Sequence, residues 1–283
     1  MTQILRLTAF TTDPHGGNPA GVVLDASSLS GDEMARIAAE VGFSETAFLV
    51  PNGTAPSNRV HVRYFSPELE VDFCGHATIA SAVAWAEVHG PGQVLFETGS
   101  GPIPVEVTLD EEGLLRASLT SVPTHTQNLP AEVLDQVLSF LRWSADDLDP
   151  RLPPRVAFGG VQHLVLATAS RERLAQLDYD FEGMRALMEA QNWITLQLVY
   201  RDGPHLFHSR NPFPVGGVVE DPATGAAAAA LGGYLRDLHL LAPGDEFLIR
   251  QGEDMGQPSR LHVKILEDGQ RIQVSGHACQ MKS

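Results

Sequence analysis

The sequence predicts an α+β protein of two similar domains, each a mostly β shell around one helix of small residues. Two polar segments, residues 74–78 and 221–225, each open a helix made largely of alanine and other small residues. Strand-like runs flank both helices. The second half of the chain also repeats the first, element by element, at an offset of roughly 150 residues. Such a duplication indicates two related domains whose helix starts meet at a shared cleft, a common place for a ligand.

The helix that follows residue 225 is the clearest single element. It opens with alanines at residues 226–230 and continues with leucine and two glycines. Alanine has the highest helix propensity, and small side chains on every face predict a central, buried helix. The backbone N–H groups at its start lack partners within the helix, so an anion site is expected there. The alternative is a purely structural helix that Asp221 or Thr224 caps.

Local patterns place the other elements of the first half. Ser30 and Glu33 have capping-box spacing and precede an amphipathic helix. The apolar residues of that helix recur at helical spacing: Met34, Ile37, Ala38 and Val41. Strands are predicted over residues 4–10, 20–24, 45–50, 60–65, 94–97 and 103–109.

The second half restarts the same order after a region of weak pattern between residues 120 and 130. A helix with an apolar face follows over residues 133–141. The helix–strand unit at 33–50 then resembles 182–200, the strand at 60–65 resembles 206–210, and 92–107 resembles 244–264. We therefore expect one domain over residues 1–122, completed by a C-terminal strand at 270–283, and a second over residues 123–269.

Charge and cysteine content restrict the function. The 283 residues carry a net charge of −16, which argues against nucleic acid or an anionic membrane as a partner. Two cysteines, Cys74 and Cys279, form no disulfide framework and suit a reducing compartment. The first residues lack the pattern of a signal peptide, and no apolar run is long enough to cross a bilayer. We expect a cytoplasmic protein with a small anionic ligand.

Two cofactor classes find no support in the residue pattern. The histidines are too scattered for metal-ligand spacing, so no metal is expected. The glycines at residues 252 and 256 lack the strand-to-helix context of a dinucleotide fingerprint, so no dinucleotide is expected either.

Several short segments, in the same order along nearly the whole chain, resemble the phenazine-biosynthesis-F-like (PhzF) isomerase family, which has the diaminopimelate epimerase-like fold. The segments are Gly17-Asn18-Pro19-Ala20, Ser44-Glu45-Thr46-Ala47-Phe48, Arg63-Tyr64-Phe65-Ser66-Pro67, Cys74-Gly75-His76-Ala77-Thr78, Ser209-Arg210 with Phe213, and Glu220-Asp221-Pro222-Ala223-Thr224-Gly225. The resemblance implies two domains, each a barrel-like sheet around a central helix, with the active site between them. It also implies isomerisation by proton transfer at carbon, without metal or organic cofactor, in a protein that is commonly a homodimer.

The resemblance assigns roles to individual residues. Glu45 matches the family's catalytic acid/base, Asp221 its second essential acid, and Gly75 and His76 its cleft residues. The family often has serine where this chain has Ala226, so the backbone N–H is kept and a hydroxyl is lost. The residues expected to bind substrate are Asn18, Gly75, Ala77, Thr224, Gly225, Ala226 and Arg210.

Three readings of the site stay open at this point. Glu45 is the base of an isomerase if the site removes it from water, because a carboxylate is more basic there. Alternatively, Cys74 and Asp221 match the two catalytic cysteines of the diaminopimelate epimerases and form the two bases of a racemase or epimerase. Cys74 is then a thiolate favoured by the helix start, although it could also be inert. Arg210 meets a substrate carboxylate or pairs with Glu220. Ala226 in place of serine leaves a non-catalytic binding protein as the third reading.

Overall fold

The contacts divide the chain into two units, unit 1 of residues 1–120 and 275–283 and unit 2 of residues 121–274. The computed structural model describes residues 2–51 and 58–282. The division lies two residues from the expected boundary of 1–122 and 123–269. Unit 1 takes residues 275–283 from the C-terminus, where the sequence suggested 270–283.

The described residues form strands and α-helices in the following order. The strands are β1 Leu5–Ala9, β2 Asn18–Val23, β3 Glu45–Pro51, β4 Arg59–Phe65, β5 Glu70–Val71, β6 Gly92–Thr98, β7 Gly101–Leu109, β8 Leu115–Thr120, β9 His125–Asn128, β10 Arg155–Phe158, β11 Gln162–Ala167, β12 Trp193–Arg201, β13 Leu206–Phe213, β14 Val218–Asp221, β15 Glu246–Gln251, β16 Ser259–Ile265 and β17 Ile272–Gln280. The helices are α1 Gly31–Val41, α2 Gly75–His89, α3 Ala131–Leu141, α4 Arg171–Ala175, α5 Phe181–Gln191 and α6 Gly225–Asp237. None of these helices is long and apolar enough to cross a membrane.

Unit 1 is a closed barrel around α2. The strand pairings run β1–β2–β3–β4–β6–β7–β8–β17 and return to β1. The β2–β3 and β4–β6 pairs are parallel. Helix α2 packs against β1, β2, β3, β7 and β8, and every residue from His76 to Ala84 is buried. Alanines and short side chains let the sheet approach the helix from all sides, as interior packing density requires.

The helix α1 packs against β3 and β4 of the unit 1 sheet. It has the predicted capping box, with Ser30 accepting from the Glu33 backbone N–H. Its buried side chains are the predicted ones: Met34, Ile37, Ala38 and Val41. They pack against Val23, Phe48 and Phe65 of the strands. The helical periodicity therefore identified both the element and its buried face.

Unit 2 wraps a mixed sheet around α6. The pairings β9–β10, β10–β11, β12–β13 and β15–β16 are antiparallel, and β11–β12 and β13–β15 are parallel. Residues Ala227 to Leu235 of α6 are all buried, as predicted for a central helix. The succession parallel, antiparallel, parallel, antiparallel from β11 to β16 matches that from β2 to β7 in unit 1. The predicted fold class, α+β with a barrel-like sheet around a central helix, is confirmed.

Candidate active site

Both central helices begin without a side-chain cap. Cys74 precedes α2 and Thr224 precedes α6, and in neither case does this side chain bond to the first-turn N–H groups of the described helix. The first bonds within the helices are Thr78 N to Cys74 O and Ala228 N to Thr224 O, each 3.0 Å. The preceding N–H groups lie outside the helical ladder, and such groups favour an anion.

The helix starts also correct the residue matching between the two halves. The sequence repeat predicts that the segment beginning at Cys74 corresponds to the one beginning at Asp221. Counted from the first residue of each helix, Gly75 and Gly225, the position of Cys74 is taken by Thr224 and that of His76 by Ala226. Asp221 lies earlier, at the end of β14. Matching by polar residues misplaced the two segments because β14 ends in an acid where β5 does not.

In unit 1 the structure brings three of the four predicted catalytic residues together. The Cys74 thiol donates to Glu45 Oε2 across 3.4 Å, and its Sγ lies 3.4 Å from His76 Nδ1. His76 Nε2 lies 3.4 Å from the same Glu45 oxygen. Glu45 is the first residue of β3, whereas Cys74 and His76 flank the first residue of α2. The barrel thus places the carboxylate beside the open helix start.

The cluster is shielded from water but can be reached. Cys74 and His76 are 8% and 7% exposed, and the Glu45 side chain is 21% exposed. A Cβ placed on Gly75 would meet no described atom within 4 Å other than those of its chain neighbours and its own helix backbone, so there is space beside the first helical residue. A carboxylate with little water around it interacts more strongly with a developing charge than one in bulk solvent. This arrangement suits proton transfer to or from a small molecule.

Hydroxyl groups of neighbouring residues contact the Glu45–Cys74–His76 cluster and hold it in place. Ser44 Oγ lies 3.3 Å from His76 Nε2. Thr78 donates to the Cys74 carbonyl at 2.6 Å, and Tyr64 shares a 2.7 Å bond with the Thr78 hydroxyl. Burial raises the pKa of Tyr64, so its phenol stays protonated. No role was predicted for these residues, although Ser44 and Tyr64 lie within the segments that resemble the family.

In unit 2 the predicted residues form a second polar group at the start of α6. Thr224 donates to Asp221 Oδ2 at 2.5 Å. Gln251, at the end of β15, donates to the Asp221 carbonyl at 2.8 Å and to Thr224 Oγ1 at 3.1 Å, and it accepts from Thr224 N at 3.3 Å. Gly225 and Ala226 are the first two residues of the helix. Gln251 is a further residue of this group that sequence reasoning missed.

Arg210 forms a buried ion pair with Glu220. Its guanidinium donates to Glu220 at 3.0 Å and 2.5 Å and to the Ala175 carbonyl at 2.7 Å. Of the two roles that the sequence left open for Arg210, pairing with Glu220 is the one observed. His208, on the same strand, contacts Glu253 and Asp202.

The other expected substrate-binding residues lie at the ends of elements. Asn18 is buried at the start of β2, in register with Ala9 of β1. Gly75 and Ala77 are the first and third residues of α2. These backbone positions bring N–H groups, rather than side chains, to the helix start.

Close to the second group lies a buried polar cluster that the sequence did not indicate. Asn211, in register with Asp221, donates to Gln197 at 2.7 Å and to Thr195 at 3.2 Å. His163 Nδ1 bonds to Thr195 Oγ1 at 2.8 Å. Burial lowers the pKa of His163 to about 3, so the imidazole is neutral in the folded protein.

One cluster in the described residues could hold a metal ion. The ligand atoms of Glu45, Cys74 and His76 all lie within 4.8 Å of one another. These are the same three residues that form the acid/base cluster of unit 1, which the sequence had not marked as metal ligands.

Comparison with known proteins gives the family. A profile described as phenazine biosynthesis-like protein matches residues 7–283. The chain is 32% identical over 291 residues to the uncharacterized isomerase YddE of Escherichia coli K12, covering 98% of this chain and 95% of that protein. It is 29% identical over 282 residues to trans-2,3-dihydro-3-hydroxyanthranilate isomerase of Pseudomonas aeruginosa, covering 98% and 96%.

A solved structure agrees with this assignment. The PhzF-family phenazine biosynthesis protein of Bacillus anthracis superposes with a TM-score of 0.88 at 26% identity, over 99% of this chain and 97% of that one. The resemblance read from the sequence is therefore confirmed. The chain belongs to the phenazine-biosynthesis-like (PhzF) family and is an isomerase.

Proposed function

We propose that this isomerase moves a proton between carbon atoms of a small, carboxylate-bearing substrate, with Glu45 as the acid/base. The observation that supports this most strongly is the contact of Glu45 with Cys74 and His76 beside the uncapped start of α2. A base, polar neighbours and N–H groups outside the helical ladder are what cofactor-independent proton transfer at carbon requires.

The reaction then has two steps. Glu45 takes a proton from a carbon that lies next to a double bond or carbonyl group, and the C–H bonding pair stays on the substrate as a delocalised anion. The N–H groups at the start of α2 and the His76 imidazole stabilise that charge. The Glu45 carboxyl exchanges its proton with solvent and then delivers a proton to a different carbon, which forms the new C–H bond and moves the double bond. We also propose that Asp221 acts as the second acid of the reaction, as the family resemblance implies.

The net charge of the protein, the two helix starts and the name of one relative support a proposal for the substrate class. A protein of net charge −16 needs local groups to bind an anion, and two uncapped helix starts are such groups. The Pseudomonas aeruginosa relative is named for a cyclic amino acid, a dihydro-hydroxyanthranilate. We propose cyclic or unsaturated amino and hydroxy acids as substrates. Because Ala226 lacks the hydroxyl that the family often has, the preferred substrate is expected to differ from that of relatives with serine.

Solvent exchange tests the reaction directly. Candidate acids, including trans-2,3-dihydro-3-hydroxyanthranilate, are incubated with the protein in D₂O and followed by proton NMR. The proposal expects isomerised product and deuterium at the carbon that receives the proton. A complete lack of exchange and product across the panel, from protein shown to be folded, would contradict the proposal.

A racemase or epimerase that uses Cys74 and Asp221 as its two bases is the second candidate. It is favoured by the position of Cys74 at the helix start and by its contact with His76. This candidate predicts inversion at one carbon, seen by chiral chromatography, and inactivation by a thiol alkylator against which substrate protects. Full activity of a Cys74→Ala variant would exclude it.

We further propose that the protein is a homodimer, on the family resemblance. Light scattering coupled to gel filtration is expected to give twice the chain mass of 30.5 kDa. A mass of one chain at micromolar concentration would contradict this proposal.

A further inference from the structure

We propose that Glu45, Cys74 and His76 also form a reversible binding site for a thiophilic divalent cation of the zinc type, and that the bound ion inhibits the isomerase. The binding part of this proposal stands on the geometry of the three side chains. Only the inhibition rests on the proposed function.

The three ligand atoms lie about as close together as the ligands of a zinc ion. Tetrahedral Zn²⁺ bonds of about 2.3 Å to sulfur and about 2.0–2.2 Å to nitrogen and oxygen place the ligand atoms roughly 3.3–3.6 Å from one another. Cys74 Sγ and His76 Nε2 each lie 3.4 Å from Glu45 Oε2, and the sulfur lies 3.8 Å from that nitrogen. The sulfur also lies 3.4 Å from His76 Nδ1, so it lies beside the imidazole ring and not along the Nε2 lone pair. The imidazole therefore has to rotate before one ion can bond to both the nitrogen and the sulfur.

The chemistry of the ligands selects the ion. A thiolate with an imidazole and one carboxylate suits Zn²⁺ and its substitutes, whereas Mg²⁺ and Ca²⁺ prefer sites made of oxygen. The thiolate and the carboxylate together balance the charge of a divalent ion. Binding replaces the thiol proton of Cys74, which is released to solvent while the sulfur bonds to the metal.

The site provides three protein ligands and room for a fourth. Gly75, between Cys74 and His76, faces open space, so water or a small anion can complete the coordination. Three protein ligands with an open fourth position are typical of catalytic rather than structural zinc sites. Glu45 lies on β3, 29 residues before Cys74 at the start of α2. Because the ligands come from two separate elements, the chain shows no metal-ligand spacing.

Inhibition follows from the same contacts. The ion occupies a lone pair of the carboxylate that takes the substrate proton, and the imidazole nitrogen next to it. Glu45 cannot accept a proton while it is bound to the metal. Substrate and ion would then exclude each other at the start of α2.

Binding is tested first, without substrate, on the full chain with no histidine tag. Cobalt(II) is titrated into metal-free protein, because a cobalt–thiolate bond gives a charge-transfer absorption that carboxylate and imidazole do not. The proposal expects this absorption to saturate at one ion per chain, and zinc to displace the cobalt. Cys74→Ala should lose the absorption and weaken zinc binding at least about tenfold, as loss of a ligand does. Cys279→Ser, which alters the other cysteine, should keep both.

The outcomes separate this proposal from the proposed function. Cobalt binding without the thiolate absorption, binding unchanged in Cys74→Ala, or no binding at a hundredfold excess of ion would overturn the metal site. Binding in a protein without isomerase activity would leave the site standing and overturn the proposed function. In an active protein, inhibition by zinc that a chelator reverses and that rising substrate concentration relieves is the expected result. Full activity with zinc bound would overturn the inhibition.

Discussion

Glu45 combines two properties that a catalytic carboxylate needs. Its side chain is partly shielded from water, and one of its oxygens, Oε2, lies 3.4 Å from both the Cys74 sulfur and His76 Nε2. A carboxylate has about four lone-pair positions on its two oxygens, so these two contacts leave positions for a substrate proton. The three side chains therefore form a cluster in which a proton can move, rather than a fixed ion pair.

Arg210, in contrast, belongs to a buried ion pair with short bonds. Its side chain and that of Glu220 are 11% and 3% exposed, and they are joined by two bonds. Arg210→Met should lower the free energy of unfolding by about 3–5 kcal/mol, because it leaves Glu220 buried and unpaired. The double variant Arg210→Met with Glu220→Leu should recover most of that loss. Denaturant unfolding of the three proteins measures both effects.

The KM of the double variant tests whether Arg210 also binds substrate. If the residue is structural, the double variant keeps its KM to within about threefold. A rise in KM of tenfold or more in a stable double variant would instead support the substrate-binding role predicted from the sequence, since it would show a lost ligand contact.

His163 predicts how stability depends on pH. Its pKa falls from 6.5 to about 3 on burial, so below pH 6.5 the unfolded chain takes up a proton that the folded protein does not. This histidine therefore lowers the free energy of unfolding by about 1.4 kcal/mol for each pH unit between 6.5 and 3. Above pH 6.5 its contribution is constant.

The measurement for His163 compares slopes. Urea unfolding at several pH values between 4.5 and 7.5 is performed on the wild type and on His163→Asn, whose amide can still reach Thr195. The variant should show a smaller decrease in stability toward acid pH. Equal slopes for the two proteins would mean that His163 is protonated in the folded state.

At the scale of elements, the two central helices explain the composition of the chain. A helix enclosed by a sheet must be thin, and α2 and α6 meet this condition with alanine, glycine and serine. The same enclosure leaves only the helix ends open to ligands. Function and packing therefore meet at residues 74–77 and 224–226, where each helix begins.

Gly159 tests how closely the sheet encloses α6. A Cβ at this position would lie 2.5 Å from the Ala226 carbonyl oxygen and 2.7 Å from Ala230 N, both of them backbone atoms. Gly159→Ala should therefore lower the free energy of unfolding by about 1–3 kcal/mol through overpacking. The matched control is Gly75→Ala, where a Cβ has free space and alanine suits a helix. Thermal unfolding that affects both variants equally would contradict this account of the packing.

At the scale of the whole molecule, much of the fold could be predicted because its signals are local. The capping box and periodicity of α1, the buried face of Met34 and Ile37, and the burial of α6 all follow from residues near one another in sequence. The strand β9, His125–Asn128, was missed because its side chains are polar and largely exposed, so they carry no alternating pattern.

The site could be predicted only in part. Motifs identified Glu45, Cys74 and His76 singly, but their mutual contact depends on how the barrel places β3 beside α2. The supporting hydroxyl of Tyr64 and the amide of Gln251 are likewise set by tertiary packing. The match of Cys74 to Asp221 failed because a helix start is defined by backbone geometry, not by the nearest acid.

The central claim is that Glu45 carries the proton, and one comparison of variants tests it most directly. Solvent deuterium incorporation into the isomerised product is measured for the wild type, Glu45→Gln and Cys74→Ala, with Glu40→Gln as a control on an exposed carboxylate. We predict that Glu45→Gln slows incorporation by about 10²–10⁴-fold, the range for a general acid/base, and that Glu40→Gln changes nothing. Cys74→Ala should keep measurable exchange. Wild-type exchange in a folded Glu45→Gln, with exchange abolished in Cys74→Ala, would contradict the account.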